Sequence, residues 1–256
     1  MTTWILLRGL SRESGHWGPF IGRFKRGLVD ARVIAIDLPG NGALHQRDSP
    51  TRVEAMAEHC RATLAGRGVA PPYSLLAMSL GAMVAVAWAN AHPQELARCV
   101  LINTSLRPFS PFYQRLRPAN YLPLLSFALS GGQAREQEEI ILRLTSRLRY
   151  DAAEVLDDWV ALRKVHPVSR RNAVRQLWAA ARYRAPAARP ATALLLLASR
   201  RDGLVHLGCS EALAAAWGCE LRIHPGAGHD LPLDDGPWVV AQVRHWIDGA
   251  ARRERW

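Results

Sequence analysis

Lysine is almost missing from this chain: of 33 basic residues only Lys25 and Lys164 are lysine, and against 22 acidic residues the formal net charge is +11. A basic excess of that size invites a nucleic-acid reading, but no motif that would read a groove or a stacked base accompanies it. An arginine bias alongside many alanines reads instead as a property of the coding composition. Cysteine is scarce too. Cys60, Cys99, Cys209 and Cys219 show no C-x-x-C spacing and no His/Cys cluster of metal-ligand type. That points to buried free thiols in a reducing compartment, while leaving a Cys209–Cys219 disulfide open. Long apolar runs are absent as well. The longest, Leu75 to Ala91, is interrupted and falls short of a membrane span. Met1 to Arg8 holds too short an apolar run for a signal peptide and no basic segment before it. These absences predict a cytoplasmic chain without a membrane span or a nucleic-acid partner.

What is present is the composition of a globular enzyme, 49% hydrophobic and 21% charged over 256 residues. Strand-like and helix-like segments alternate, which argues for a parallel sheet with helices on both faces. The strands are read at Trp4–Arg8, Arg32–Asp37, Tyr73–Ser79, Cys99–Asn103, Thr192–Ser199 and Glu220–His224. A first helix is predicted over Trp17–Val29 and a second over Thr51–Gly66, with Thr51 as N-cap and Glu54 at capping-box spacing. Trp238–Arg253 closes the chain as a helix. Between Leu106 and Pro190 alternation stops, and three apolar stripes suggest helices: Ile140, Ile141, Leu144, Leu148; Val155, Leu156, Trp159, Val160; and Val174, Leu177, Trp178, Ala181.

The third strand runs into Ala77-Met78-Ser79-Leu80-Gly81, and an Ala/Val-rich helix follows. Strand, small-x-Ser-x-Gly turn and helix together build a tight bend that pushes one serine hydroxyl out at the carboxyl end of a sheet. Asp202 lies just past the strand that ends at Ser199, and His229 follows the last strand in Pro225-Gly226-Ala227-Gly228-His229-Asp230. A serine needs an adjacent base, and the base an orienting carboxylate. The fourth strand ends in Asn103-Thr104-Ser105 and offers no carboxylate, while Asp230, Asp234 and Asp235 stand too close in sequence to His229 to orient it easily. His206 and His224 are the nearest competitors for the base.

In the order Ser79, Asp202, His229 the chain resembles the α/β-hydrolase superfamily over nearly its whole length. The resemblance implies a mainly parallel six-stranded α/β-hydrolase sheet built from 1–105 and 191–256, with 106–190 inserted as a helical cap. It implies a catalytic set of Ser79, Asp202 and His229, and an oxyanion hole made by the Leu80 and Leu10 amides. Arg8 stands where the family usually has histidine before the glycine, here Gly9. Gly9, His16, Trp17 and Met78 are candidate pocket residues, although His16 and Trp17 could equally anchor the first helix. Asp37 matches a turn position with a structural role. No metal or organic cofactor is implied.

The expected reaction is hydrolysis of a small-molecule ester or thioester through an acyl-enzyme. Acyl transfer or C–C hydrolysis on the same residues, or a weakly catalytic binding homologue, are the alternatives. Residues 106–190 hold 15 basic and 7 acidic residues. That balance reads as a solvated surface or, by resemblance to the pimeloyl-carrier-protein methyl ester esterases, as a docking face for an acidic acyl carrier protein at Arg143, Arg147, Arg163 and Arg171. Tyr121, Leu122, Leu124, Leu125, Phe127, Leu129, Trp159 and Trp178 could line an acyl pocket or pack the inserted segment on the core.

Overall fold

The computed structural model describes residues 2–28, 30–122 and 133–253. Leu124, Leu125, Phe127 and Leu129 of the expected pocket lie outside them. Six strands, β1 Thr2–Leu7, β2 Ala31–Ile36, β3 Tyr73–Met78, β4 Leu96–Ile102, β5 Ala193–Ser199 and β6 Glu220–His224, form one sheet in the order β2-β1-β3-β4-β5-β6. Every neighbouring pair is parallel. Helices α1 Phe20–Gly27, α2 Val53–Gly66 and α3 Leu80–Ala91 connect the early strands, and α4 Phe112–Arg115, α5 Ala134–Thr145, α6 Ala153–Val165 and α7 Arg170–Arg182 lie between β4 and β5. Helix α8 Gly208–Trp217 joins β5 to β6, and the short α9 Leu231–Asp234 precedes α10 Gly236–Arg253.

The central strands are apolar on both faces because helices cover both. Ile5, Leu7, Leu75, Ala77, Leu101 and Leu196 point into one layer with Met56 and Leu64 of α2 and Val84 and Trp88 of α3. The alternate residues Trp4, Leu6, Leu76, Val100, Ile102 and Leu197 point into the other, with Phe20 and Phe24 of α1 and Val239 and Val243 of α10. Going outward from the middle, β1 leads to β2 on one side while β3 starts the run to β6 on the other. In open parallel sheets such a reversal leaves a crevice beyond the carboxyl ends of the diverging strands, here between the loop after β1 and the loop after β3.

Three expectations for helices are corrected. The predicted helix from Trp17 is broken: a 3-10 turn covers Ser14–Trp17, Gly18 takes φ 48°, and α1 begins only at Phe20. Thr51 does not cap α2, which begins at Val53 with Arg52 at the cap and no side-chain bond to the first turn. The stripe on α7 faces the wrong way, since Val174, Leu177 and Trp178 are exposed and the buried residues are Asn172, Gln176, Ala179 and Ala180. The reason is a set of directed hydrogen bonds. Asn172 Nδ2 donates to Arg47 O at 2.9 Å, and its Oδ1 accepts from Ser49 N–H at 2.9 Å. Gln176 Nε2 donates to Asn41 Oδ1 at 2.8 Å and to Ser49 Oγ at 2.9 Å. Of the first stripe, Ile140 on α5 and Leu148, which lies beyond the end of α5, are also exposed, whereas Leu156, Trp159 and Val160 of α6 are buried as expected. All four cysteines are free thiols. No helix among the described residues is long and apolar enough to cross a membrane.

Candidate active site

Ser79 is the single residue between β3 and α3, at φ 53° and ψ −116°. A non-glycine residue at positive φ is costly, by about 1–3 kcal/mol, and persists where its surroundings hold it. Here Ser79 N–H donates to Ile102 O at 3.0 Å, and Thr104 Oγ1 donates to Ser79 O at 3.3 Å. Gly81 is needed at the bend because a Cβ there would sit 2.6 Å from the carbonyl oxygens of Leu7 and Arg8. Gly9 brings the loop after β1 against the serine: a Cβ on it would lie 3.2 Å from Ser79 Cβ. Ser79 is half-buried between buried Met78 and Leu80, and its Oγ makes no hydrogen bond among the described residues.

His229 and Asp202 are joined, His229 Nδ1–H donating to Asp202 Oδ2 at 2.7 Å with both residues buried. Asp202 Oδ1 accepts from the Leu204 and Val205 amides at 2.8 and 2.9 Å, so one oxygen anchors the carboxylate and the other meets the ring. Burial opposes a charged imidazole. The charge of Asp202, its hydrogen bond and the charge of Asp230 outweigh that, and the His229 pKa is raised above its ordinary value. His206 and His224 lie elsewhere and accept loop amides, His206 from Gly208 and His224 from Gly226 and Ala227. Asp37 accepts Ser14 N–H at 2.6 Å, a structural contact.

The Leu10 and Leu80 amides have no partner among the described residues, although their neighbours do. Ser11 N–H donates to Gln176 Oε1 at 2.8 Å, Arg12 N–H to Gly9 O at 3.3 Å and Ala82 N–H to Ser79 O at 3.0 Å. Ser11 itself takes φ 55°. Leu80 follows Ser79 in the chain, and the loop carrying Leu10 meets Ser79 through Gly9.

Several residues that build this site carry no sequence signal. Asn103, noted only for not being a carboxylate, donates through Nδ2 to His229 O at 2.7 Å, and its Oδ1 accepts Ser199 N–H at 2.8 Å. It thereby ties the ends of β4 and β5 to the histidine loop. Asp234 accepts the Gly228 amide at 2.6 Å and the Arg147 amide at 2.9 Å, fastening that loop to the end of α5. Behind the loop after β1, Arg12 Nη1 reaches Glu138 Oε2 at 2.6 Å and His16 Nε2 at 2.7 Å, and its guanidinium lies 4.2 Å from the Trp159 ring. Glu138 is also paired with Arg163 Nε. Burial alone would raise the Glu138 carboxyl, but Arg12 and Arg163 hold it below the usual range. His16 is pushed well below the ordinary histidine value by burial and by the charges of Arg12 and Arg8. Beside them Ser11, Arg12, Glu13 and His166 help line a cavity of about 10 Å³, room for one water.

Of the candidate pocket residues, Gly9 touches Ser79 and Met78 precedes it. His16 lies in the polar lattice behind the loop and completes a capping box with Glu13, while Trp17 stacks on Phe20 in the core. Of the four arginines considered for docking, Arg143, Arg147 and Arg171 are exposed, but Arg163 is held by Glu138 and Gln137. Among the described residues no group of three or more His, Cys, Asp or Glu could hold a metal.

Residues 4–242 match the model of the alpha/beta hydrolase family. The chain is 31% identical over 219 residues to the "Putative carbamate hydrolase RutD" of Cronobacter turicensis, covering 83% of this chain and 78% of that protein. Among solved structures it resembles a thermophilic esterase from Thermogutta terrifontis, with a TM-score of 0.75 and 20% identity over 97% of this chain and 90% of that one. It also resembles the "Putative non-heme bromoperoxidase BpoC" of Mycobacterium tuberculosis, with a TM-score of 0.77 and 19% identity over 97% and 92%. The chain belongs to the alpha/beta hydrolase family and is an enzyme of the hydrolase type.

Proposed function

From that membership we propose that the chain is a serine hydrolase cleaving a carboxylic ester or thioester. The observation that carries this reading is the 2.7 Å hydrogen bond between His229 and Asp202, held in the loops after β6 and β5 at the carboxyl edge of the sheet that also carries Ser79. His229 Nε2 takes the proton of Ser79 Oγ as that oxygen attacks the acyl carbon, and Asp202 holds the tautomer and stabilises the imidazolium. The Leu10 and Leu80 amides receive the tetrahedral oxyanion. Collapse expels the alcohol or thiol, which leaves with the proton from His229. Water, deprotonated by the same imidazole, then attacks the acyl-enzyme and releases the acid. The hydrogen bond from Ser79 Oγ to the imidazole forms as substrate seats, since catalytic contacts are often long in unliganded sites. In this reading 106–190 is a cap on the 1–105 and 191–256 core, supported by the bond from Ser11 to Gln176.

The test is turnover of a p-nitrophenyl ester series from C2 to C12 by the wild type and by Ser79→Ala. Loss of several orders of magnitude on removing the hydroxyl is expected, and the chain-length optimum sizes the acyl pocket. Turnover that survives Ser79→Ala would end the reading. A carbamate substrate is a second reading, favoured by the likeness to the carbamate hydrolase, and carbamate esters in the same panel separate the two. An acidic acyl carrier is the partner that Arg143, Arg147 and Arg171 would suit. Two of these pair with Glu139 and Asp48 at the surface, where such pairs are weak and exchangeable. Charge reversal at the three would then lower turnover of a carrier-bound ester while sparing a small one.

A further inference from the structure

A buried ion pair sits against the site without belonging to its reacting set. Arg8 and Asp230 are 4% and 2% exposed and meet fork to fork, Nη2 to Oδ2 at 2.5 Å and Nη1 to Oδ1 at 3.1 Å. Arg8 follows β1 and precedes Gly9, so it stands at the root of the loop that carries the Leu10 amide. Its Nη1 also contacts Met78 Sδ at 3.6 Å, one residue before Ser79, and its guanidinium lies 4.8 Å from the Trp17 ring centroid. Asp230 is the residue after His229. Its amide donates to Thr145 O at 2.8 Å, and its Oδ1 accepts the Leu233 amide at 3.4 Å. One pair therefore joins the oxyanion loop, the serine bend and the histidine loop.

Packing alone does not account for charges in this place. Burying both members removes their hydration, and apolar residues of similar volume usually hold two segments together at least as well. The position of the pair suggests another use. The charged groups facing His229 are Asp202 from the loop after β5, Asp230 beside it in the chain, and Arg8 from the end of β1. Arg117 approaches from the segment after α4 but donates to the main-chain oxygen of Asp202. Arg8 disfavours the imidazolium and Asp230 favours it, so the two oppose each other at the ring.

We propose that Arg8 and Asp230 are a positioning pair, which balances the field at the His229 imidazole and ties its loop to the oxyanion loop. The proposal rests on the reading of Ser79 as nucleophile and His229 as base. A general base works in its neutral form, so the acid limb of kcat/KM reports the midpoint of His229 in the free enzyme. Removing Asp230 leaves Arg8 unopposed and should lower that midpoint. Removing Arg8 leaves Asp230 unopposed and should raise it. Removing both should return it near the starting value.

The experiment measures kcat/KM against pH for the wild type, Asp230→Asn, Arg8→Gln and the double variant on one p-nitrophenyl ester. NMR titration of the His229 ring serves as a readout independent of turnover. Shifts of about half a pH unit or more, downward for Asp230→Asn and upward for Arg8→Gln, are expected. Equal midpoints in the two single variants would overturn the proposal. Should a single variant not fold, the double variant strands no charge and carries the test. It should keep the wild-type midpoint and KM but lose kcat by about tenfold or more as the loops lose their tie. A double variant with wild-type kcat, or with a displaced midpoint, would overturn the pair's role. Ester turnover independent of Ser79 would instead overturn the reading beneath it, so the two failures are distinct.

Discussion

Along β5 the residues from Leu194 to Ser199 are buried and nearly all apolar, whereas along α7 the buried face combines Asn172 and Gln176 with the small Ala179 and Ala180 while Val174, Leu177 and Trp178 meet solvent. The first region is held by area removed from water, which is non-directional and tolerates small displacements. The second is held by hydrogen bonds with defined partners, and a buried polar group that loses its partner is costly. The difference follows what each region supports. The sheet needs only to be solid, but α7 holds Ser11, whose backbone follows the Leu10 amide, and the turn at Asn41 and Ser49. Polar burial here serves placement more than stability.

The comparison can be broken most severely at the site itself. Asp202→Asn keeps an oxygen for the Leu204 and Val205 amides but presents an NH₂ group to His229 Nδ1, forcing the wrong tautomer. Turnover of a p-nitrophenyl ester should fall about 10⁴-fold with the fold intact; a loss below tenfold would remove Asp202 from the account. Next comes stability, read by urea denaturation. Leu196→Ala in the sheet should cost about 2–5 kcal/mol through lost burial and a cavity. Gln176→Leu, a more apolar side chain at a fully buried position, should nevertheless destabilise by about 1–3 kcal/mol, because Ser11 N–H and Asn41 Oδ1 lose their partner. Leu177→Gln one position on should change stability by no more than about 0.5 kcal/mol. A stabilising Gln176→Leu would erase the distinction between the two regions.

A smaller effect separates stability from activity. The His229 pKa lies above its ordinary value of 6.5. Its ion pair with Asp202 therefore contributes stability that is fully present below about 6.5 and lost as pH rises through the raised midpoint. If His229 is the base we propose, activity needs the neutral ring and should rise through the same window. Urea titrations and kcat/KM profiles across this range should run in opposite senses in the wild type. In His229→Gln the stability slope should flatten.

The same contrast explains what was legible beforehand. The six strands were readable because parallel strands covered on both sides appear as short apolar runs, and the serine bend because Ala77 and Gly81 bracket Ser79. Asp202 and His229 followed from their places after strands. Asn103, Gln176, Glu138 and Asp234 were not readable, since a buried polar residue resembles an exposed one in sequence and its partners lie far along the chain. Apolar periodicity failed on α7 for a related reason: it assumes that the apolar face is the buried one. Thr51 failed as a cap because helix termini turn on one or two residues of backbone geometry.

The most direct test of the central claim is covalent labelling with a fluorophosphonate, which reacts with a serine oxygen activated by a neighbouring base. Intact-protein and peptide mass spectrometry of the folded wild type should place one adduct on the peptide containing Ser79, absent in Ser79→Ala and strongly slowed in His229→Gln. Labelling that persists in Ser79→Ala, or an unmodified Ser79 in folded wild-type protein, would contradict it.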